Sequence, residues 1–126
     1  MWSTETTDEF DAWFTGLGEK EQEEVAAKVK LLQLIGPQLK RPHADTLNGS
    51  AYANMKELRA KTAGAVIRVA FAFDPLQKAI LLVGGDKAGV SEQRFYKQLI
   101  VKADKLYHAH LEKIKKRKQE QEKGKR

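Results

Sequence analysis

The run Ala65-Val66-Ile67-Arg68-Val69-Ala70-Phe71-Ala72-Phe73 constrains the fold most, because it is an apolar strand with one cation in its middle. Val, Ile and Phe suit the pleated backbone, and Asp74-Pro75-Leu76-Gln77 is a turn by its residue types. A strand over 65–73 therefore returns as a second over 78–83, and a preceding strand over 55–60 completes an antiparallel meander joined at Thr62-Ala63-Gly64. A guanidinium is costly to bury alone, so Arg68 is expected to emerge at a surface or a pocket. Lys56, Arg59, Lys87, Arg94 and Lys97 also fall within or beside these segments. Several cations on neighbouring strands would make a site for a polyanion.

Before the meander, Phe10, Trp13, Phe14 and Leu17 recur at helical spacing, and Thr7 or Asp8 can cap the helix they define. A second helix is expected over 19–35, with Val25, Val29, Leu32 and Ile35 on its apolar face and Gly36-Pro37 ending it. The short link between them implies an antiparallel hairpin. Residues 2–5 suit an edge strand. Residues 37–53 hold two prolines and Asn48-Gly49-Ser50, which reads as loop. A last helix starts near Ser91 and loses its apolar face beyond Glu112. The expectation is an α+β fold, three to four antiparallel strands packed against the N-terminal helical hairpin and the C-terminal helix. One domain spans 1–112, and 113–126 is a basic tail, a fraying helix or disordered.

Net charge is +6 over 126 residues, unevenly spread. Residues 1–27 carry eight acids against one lysine, residues 28–111 carry 14 Lys/Arg against six acids, and residues 112–126 carry eight against three. Basic charge away from an acidic N-terminal part points to nucleic acid or an acidic protein. The absence of cysteine removes disulfides, thiol nucleophiles and the usual structural zinc sites. No apolar run approaches the roughly 20 residues of a membrane span, and no secretory signal opens the chain. A cytoplasmic protein is expected.

The segments Leu47-Asn48-Gly49-Ser50, Asn54-Met55-Lys56-Glu57-Leu58-Arg59, 68–75, 84–87 and Phe95-Tyr96-Lys97 before Ala103-Asp104, in this order, resemble the phage Gp49-like branch of the HigB toxins, within the RelE/ParE superfamily. The likeness covers about residues 8–111. It implies a small α+β fold and the toxin of a type II toxin–antitoxin module. It also implies a ribosome-dependent mRNA endonuclease, neutralised by a helix-turn-helix (HigA-like) antitoxin encoded alongside.

RNA is cleaved without metal or cofactor when the ribose 2′-oxygen attacks its own phosphate. That requires a proton acceptor, a proton donor for the leaving 5′-oxygen, and positive charge for the transition state. Arg68 and Arg59 suit the charge, since guanidinium forks match phosphate oxygens. Lys87 suits phosphate binding or proton transfer, and Tyr96 suits base stacking or proton transfer. Lys56, Arg94 and Lys97 are outlying RNA or phosphate contacts. Each has a plainer role: Arg68 pairing with Asp74 or Glu57, Arg59 guarding an edge strand, Lys87 solvated in a loop, Tyr96 half in the core. His43, His108 and His110 have no metal-ligand spacing, with His110 packed and His108 solvated. Some RelE-like nucleases carry a C-terminal catalytic histidine, which has no counterpart here, so the general base stays unassigned. Gly84-Gly85-Asp86-Lys87-Ala88-Gly89 lacks the pattern of a nucleotide-binding loop.

Two other functions remain open. A toxin of the same fold could poison DNA gyrase without cutting RNA, since fold does not fix function. A non-catalytic RNA- or ribosome-binding protein could rely on the basic segment 113–126.

Overall fold

The computed structural model describes residues 1–124. In chain order the elements are β1 (Thr4–Thr6), α1 (Asp8–Thr15), α2 (Glu19–Ile35), a 3₁₀ turn at Gly36–Gln38, β2 (Ala44–Thr46), β3 (Lys56–Lys61), β4 (Val66–Phe73), β5 (Ala79–Asp86) and α3 (Glu92–Gly124). The sheet order is β1-β5-β4-β3-β2. β1 runs parallel to β5, and every other pair is antiparallel. The fold is α+β, with five strands where three to four were expected.

Alternation along the strands separates two cores. Leu58 and Ala60 of β3, Ile67, Val69 and Phe71 of β4, and Ala79 and Leu81 of β5 pack against Phe10, Val25 and Leu32 of the hairpin. Met55, Ala70, Ala72, Ile80, Leu82 and Val83 pack against Phe95, Leu99, Ala103 and Tyr107 of α3. A bulge at Ala70/Phe71 keeps both Leu82 and Val83 on the α3 side.

The helix ends follow local chemistry. Thr7 caps α1, its hydroxyl accepting from the Phe10 N–H at 3.0 Å. Gly36 ends α2 at φ +73, and the Trp2 ring lies where a β-carbon at that position would stand.

Three elements depart from expectation. The segment 37–53 is not all loop: β2 pairs with β3, so β2 is the edge and Arg59 does not guard one. Gly84, Gly85 and Asp86 belong to β5 rather than to a loop. The basic segment continues α3 to Gly124 instead of fraying at 113. There Lys116 lies between Glu112 and Glu120, and Lys118 precedes Glu122, all at the i,i+4 spacing that supports an exposed helix. Residues 125 and 126, the end of the expected tail, lie outside the described residues. Among the described residues no helix is long and apolar enough to cross a membrane.

Candidate functional site: a cation cluster around Glu57

Strand parity assembles the site. Glu57 and Arg59 are two apart on β3 and share the α3 face. Arg59 stands directly opposite Arg68 of β4, and Arg68 stands opposite Gly85 of β5. Lys87 follows β5 closely, its backbone N–H donating to the Val66 carbonyl. Tyr96 comes down from the second turn of α3.

Their side chains meet at the Glu57 carboxylate, which is only 5% exposed. Arg59 Nη1 donates to Glu57 Oε2 at 2.8 Å, and the Tyr96 hydroxyl donates to Oε1 at 2.7 Å. Arg68 Nε donates to the Tyr96 oxygen at 3.2 Å and its Nη1 to the Ile67 carbonyl at 2.9 Å. Arg68 Nε also lies 3.7 Å from Glu57 Oε1, an ionic contact too long for a hydrogen bond. Lys87 Nζ donates to Glu92 Oε1 at 2.9 Å and sits 5.6 Å from the centre of the Tyr96 ring. Arg68 is buried, yet these partners satisfy it, as a buried charge requires.

The four residues proposed for catalysis, Arg59, Arg68, Lys87 and Tyr96, are thus brought together. Arg94 and Lys97 are exposed on α3, and Arg94 points about 200° around the helix from Tyr96. Lys56 does not join: one residue before Glu57, it faces the hairpin side and donates to the Pro37 carbonyl at 3.2 Å. The suggested Arg68–Asp74 pair does not form, because buried Asp74 binds His110 Nε2 at 2.8 Å and accepts from two backbone N–H groups of its own turn. His110 lies fourteen residues beyond Tyr96, about 21 Å along the helix, too far to serve this cluster.

Burial pushes the Tyr96 phenol pKa up, its bond to Glu57 adds to the effect, and Arg68 opposes it. Tyr96 is therefore a protonated donor at neutral pH. The Lys87 hydrogen bond holds the Glu92 carboxyl below its ordinary value.

Two clefts flank Arg41 and Arg59, which line both. One, of about 560 Å³, is lined by Lys28, Arg41, Arg59, Lys61, Arg68 and Lys87 with Glu24 as its acid. The other, of about 600 Å³, is mixed, with Asp45, Asn48, Glu57, Glu92, Gln93 and Tyr96. The first suits phosphate oxygens, and the second has the polar and aromatic groups a nucleobase needs. Sequence reasoning missed Glu57 as a site residue, together with Arg41, Lys28 and Lys61. The i,i+2 spacing of Glu57 and Arg59 on one strand was the available signal. Among the described residues no group of three or more His, Cys, Asp or Glu side chains is placed to hold a metal ion.

A family model described as phage-derived protein Gp49-like matches residues 12–108. A Mycobacterium tuberculosis (strain H37Rv) protein designated toxin HigB3 is 47% identical over 94 residues, covering 75% of this chain and 80% of that protein. One designated toxin HigB2, from the same strain, is 40% identical over 109 residues, covering 86% of this chain and 54% of its own length. A free-state structure of an Escherichia coli toxin RelE mutant superposes with a TM-score of 0.55 at 13% identity, over 80% of this chain and 95% of that one, a likeness of fold. With the family model over residues 12–108 and the 47% identity together, the chain belongs to the Gp49-like branch of the HigB toxin family, within the RelE/ParE superfamily.

Proposed function

We propose that this chain is the toxin of a type II toxin–antitoxin module and acts as a ribosome-dependent mRNA endonuclease. The observation that carries the reading is the convergence of Arg59, Arg68, Lys87 and Tyr96, from three strand regions and a helix, on one patch. A scissile phosphate in the cationic cleft would meet both guanidiniums and the Lys87 ammonium. The 2′-hydroxyl gives its proton to a solvent base, the 2′-oxygen bonds to phosphorus, and the bond from phosphorus to the 5′-oxygen breaks. The 5′-oxygen then takes a proton. The products are a 2′,3′-cyclic phosphate and a 5′-hydroxyl.

Arg59 and Arg68 stabilise the charge that develops on the phosphate oxygens, a contribution worth about 10²–10³ in rate per donor. Lys87, whose ammonium has two N–H groups beyond the one held by Glu92, supplies the proton to the leaving oxygen. The flanking mixed cleft takes a neighbouring base, with the Tyr96 ring as one wall. Arg94 and Lys97 act as peripheral phosphate contacts, and Lys56 lies outside the RNA surface. The partners of this reading are the message, the ribosome and a helix-turn-helix antitoxin.

The test is induction from a tightly repressed promoter, with growth and RNA 5′ ends followed together. Wild type should arrest growth and leave codon-linked 5′ ends in translated messages. Arg68→Ala should do neither, and co-expression of the neighbouring helix-turn-helix protein should restore growth. Arrest with intact messages and a DNA-damage response would overturn the nuclease and point to gyrase.

A further inference from the structure

Glu57 is the acid on which the cluster is built, and its two oxygens are divided among the cations. Oε2 takes Arg59, while Oε1 takes the Tyr96 hydroxyl and the field of Arg68. Two guanidiniums at directly opposed positions of neighbouring strands repel one another. Without an anion on the same face they would splay apart into solvent. The buried carboxylate one strand position from Leu58 keeps both turned inward.

Glu57 also decides which way the Tyr96 proton points. The phenol has one proton, and it is directed at Glu57 at 2.7 Å, while its oxygen accepts from Arg68 Nε. Releasing that proton to a leaving oxygen would mean breaking a hydrogen bond to a carboxylate, which is among the stronger kinds. Glu57 is only 5% exposed and its two oxygens already hold Arg59 and Tyr96, so a ribose hydroxyl would have to compete with these donors for the remaining lone pairs of a buried carboxylate.

We infer that Glu57 is a positioning residue: it sets the spacing and orientation of Arg59 and Arg68 and locks Tyr96 into holding Arg68 rather than supplying a proton. This rests on the nuclease reading above. It leaves Lys87 as the proton donor and gives Glu57 no part in the proton transfer. A group displaced by about 1 Å can cost about 10²-fold in rate, which is the scale expected when the carboxylate is removed.

The experiment compares Glu57→Gln, Glu57→Ala and Tyr96→Phe in the full chain by two readouts. One is the arginine Nε–H resonances of the labelled free protein. The other is single-turnover cleavage of a ribosome-bound message as a function of pH. A protected Arg68 Nε–H signal should be present in wild type, weakened in Glu57→Gln, and absent in Glu57→Ala and Tyr96→Phe. Cleavage should fall about 10²-fold in Glu57→Ala and less in Glu57→Gln, whose amide still accepts one bond. Tyr96→Phe should cost less than Glu57→Ala, and the double variant Tyr96→Phe/Glu57→Ala no more than Glu57→Ala alone. The acid limb of the pH profile should keep its midpoint in Glu57→Gln. Loss of that limb would make Glu57 the base, and a Tyr96→Phe defect larger than that of Glu57→Ala would make Tyr96 the proton donor; either overturns the inference. An Arg68 signal indifferent to all three substitutions would overturn it too. Should Glu57→Ala not fold, Glu57→Gln and Tyr96→Phe decide the matter. If the wild type cuts no RNA, the nuclease reading fails alone, while the resonances still test the positioning.

Discussion

Arg59 and Arg68 face each other directly across β3 and β4, two like charges at a position where strand neighbours ordinarily avoid repulsion. A chain selected for stability alone would pair one of them with an acid across the ladder. Here the compensating acid sits instead at Glu57, on the same strand as Arg59, leaving one flank of both guanidiniums turned to the cationic cleft. That arrangement fits a site that awaits a phosphate.

The fork geometry of Arg68 matters as much as its charge. Arg68→Lys keeps a cation but loses the bonds to the Tyr96 oxygen and the Ile67 carbonyl, which come from different nitrogens. Both Arg68→Ala and Arg68→Lys should lower single-turnover cleavage by about 10²–10³. Arg68→Lys should remain folded by circular dichroism. Restoration of near-normal cleavage by lysine would show that charge alone suffices.

Alkaline stability should report the buried phenols. Burial raises the pKa of Tyr96 and of Tyr107, whose hydroxyl donates to the Phe73 carbonyl. A raised pKa means the folded chain holds these protons more tightly than the unfolded one. Their contribution is complete below the ordinary tyrosine value of about 10 and is lost as pH climbs from there through the raised values of the folded chain. Urea unfolding between neutral pH and about pH 11 should show this decline, and Tyr107→Phe should make it shallower.

Gly84 faces the hairpin, and a β-carbon there would lie 2.4 Å from the Trp13 ring. Gly84→Ala must push Trp13 or β5 aside. A loss of about 1–3 kcal/mol is expected in denaturant unfolding, the usual range for overpacking a core. Gly64→Ala, with nothing within 4 Å of the added carbon, is the matched control and should change stability far less.

Beyond Ile114 the helix α3 carries only exposed side chains among the described residues. We propose that residues 1–112 form the working domain. Removal of 115–126 should leave the midpoint of thermal unfolding within about 2 °C, since no buried contact is lost. Cleavage of ribosome-bound messages should persist, with a shallower salt dependence of binding as phosphate contacts are removed. Growth arrest that vanishes with this segment while Arg68→Ala remains toxic would favour a non-catalytic binding protein.

Much of this was legible in the chain, for identifiable reasons. Helix α2 was readable from Glu19 to Ile35 because its apolar spacing and its Gly-Pro stop agree. β2 was not, because Ala44-Asp45-Thr46 is too short to show alternation and is held by backbone pairing to β3. Gly84 and Gly85 looked like loop, yet Trp13 and Phe95 fill the space above and below them and keep the strand extended. In the site, Arg59 and Arg68 could be placed together because each lies within a strand. Lys56 was misplaced by a single residue, which on a strand is enough to turn a side chain to the other face. Glu57 was legible only as a plain partner for Arg68, and nothing in the spacing showed that its carboxylate also takes Arg59 and the Tyr96 hydroxyl.

The most direct measurement is the fate of a ribosome-bound message carrying one 2′-deoxynucleotide on the 5′ side of the mapped cut. If the cluster cuts by 2′-oxygen attack, that message survives while its all-ribose twin yields a cyclic phosphate and a 5′-hydroxyl, with or without a metal chelator. Cleavage of the deoxy-substituted message at the same bond and rate would contradict the account.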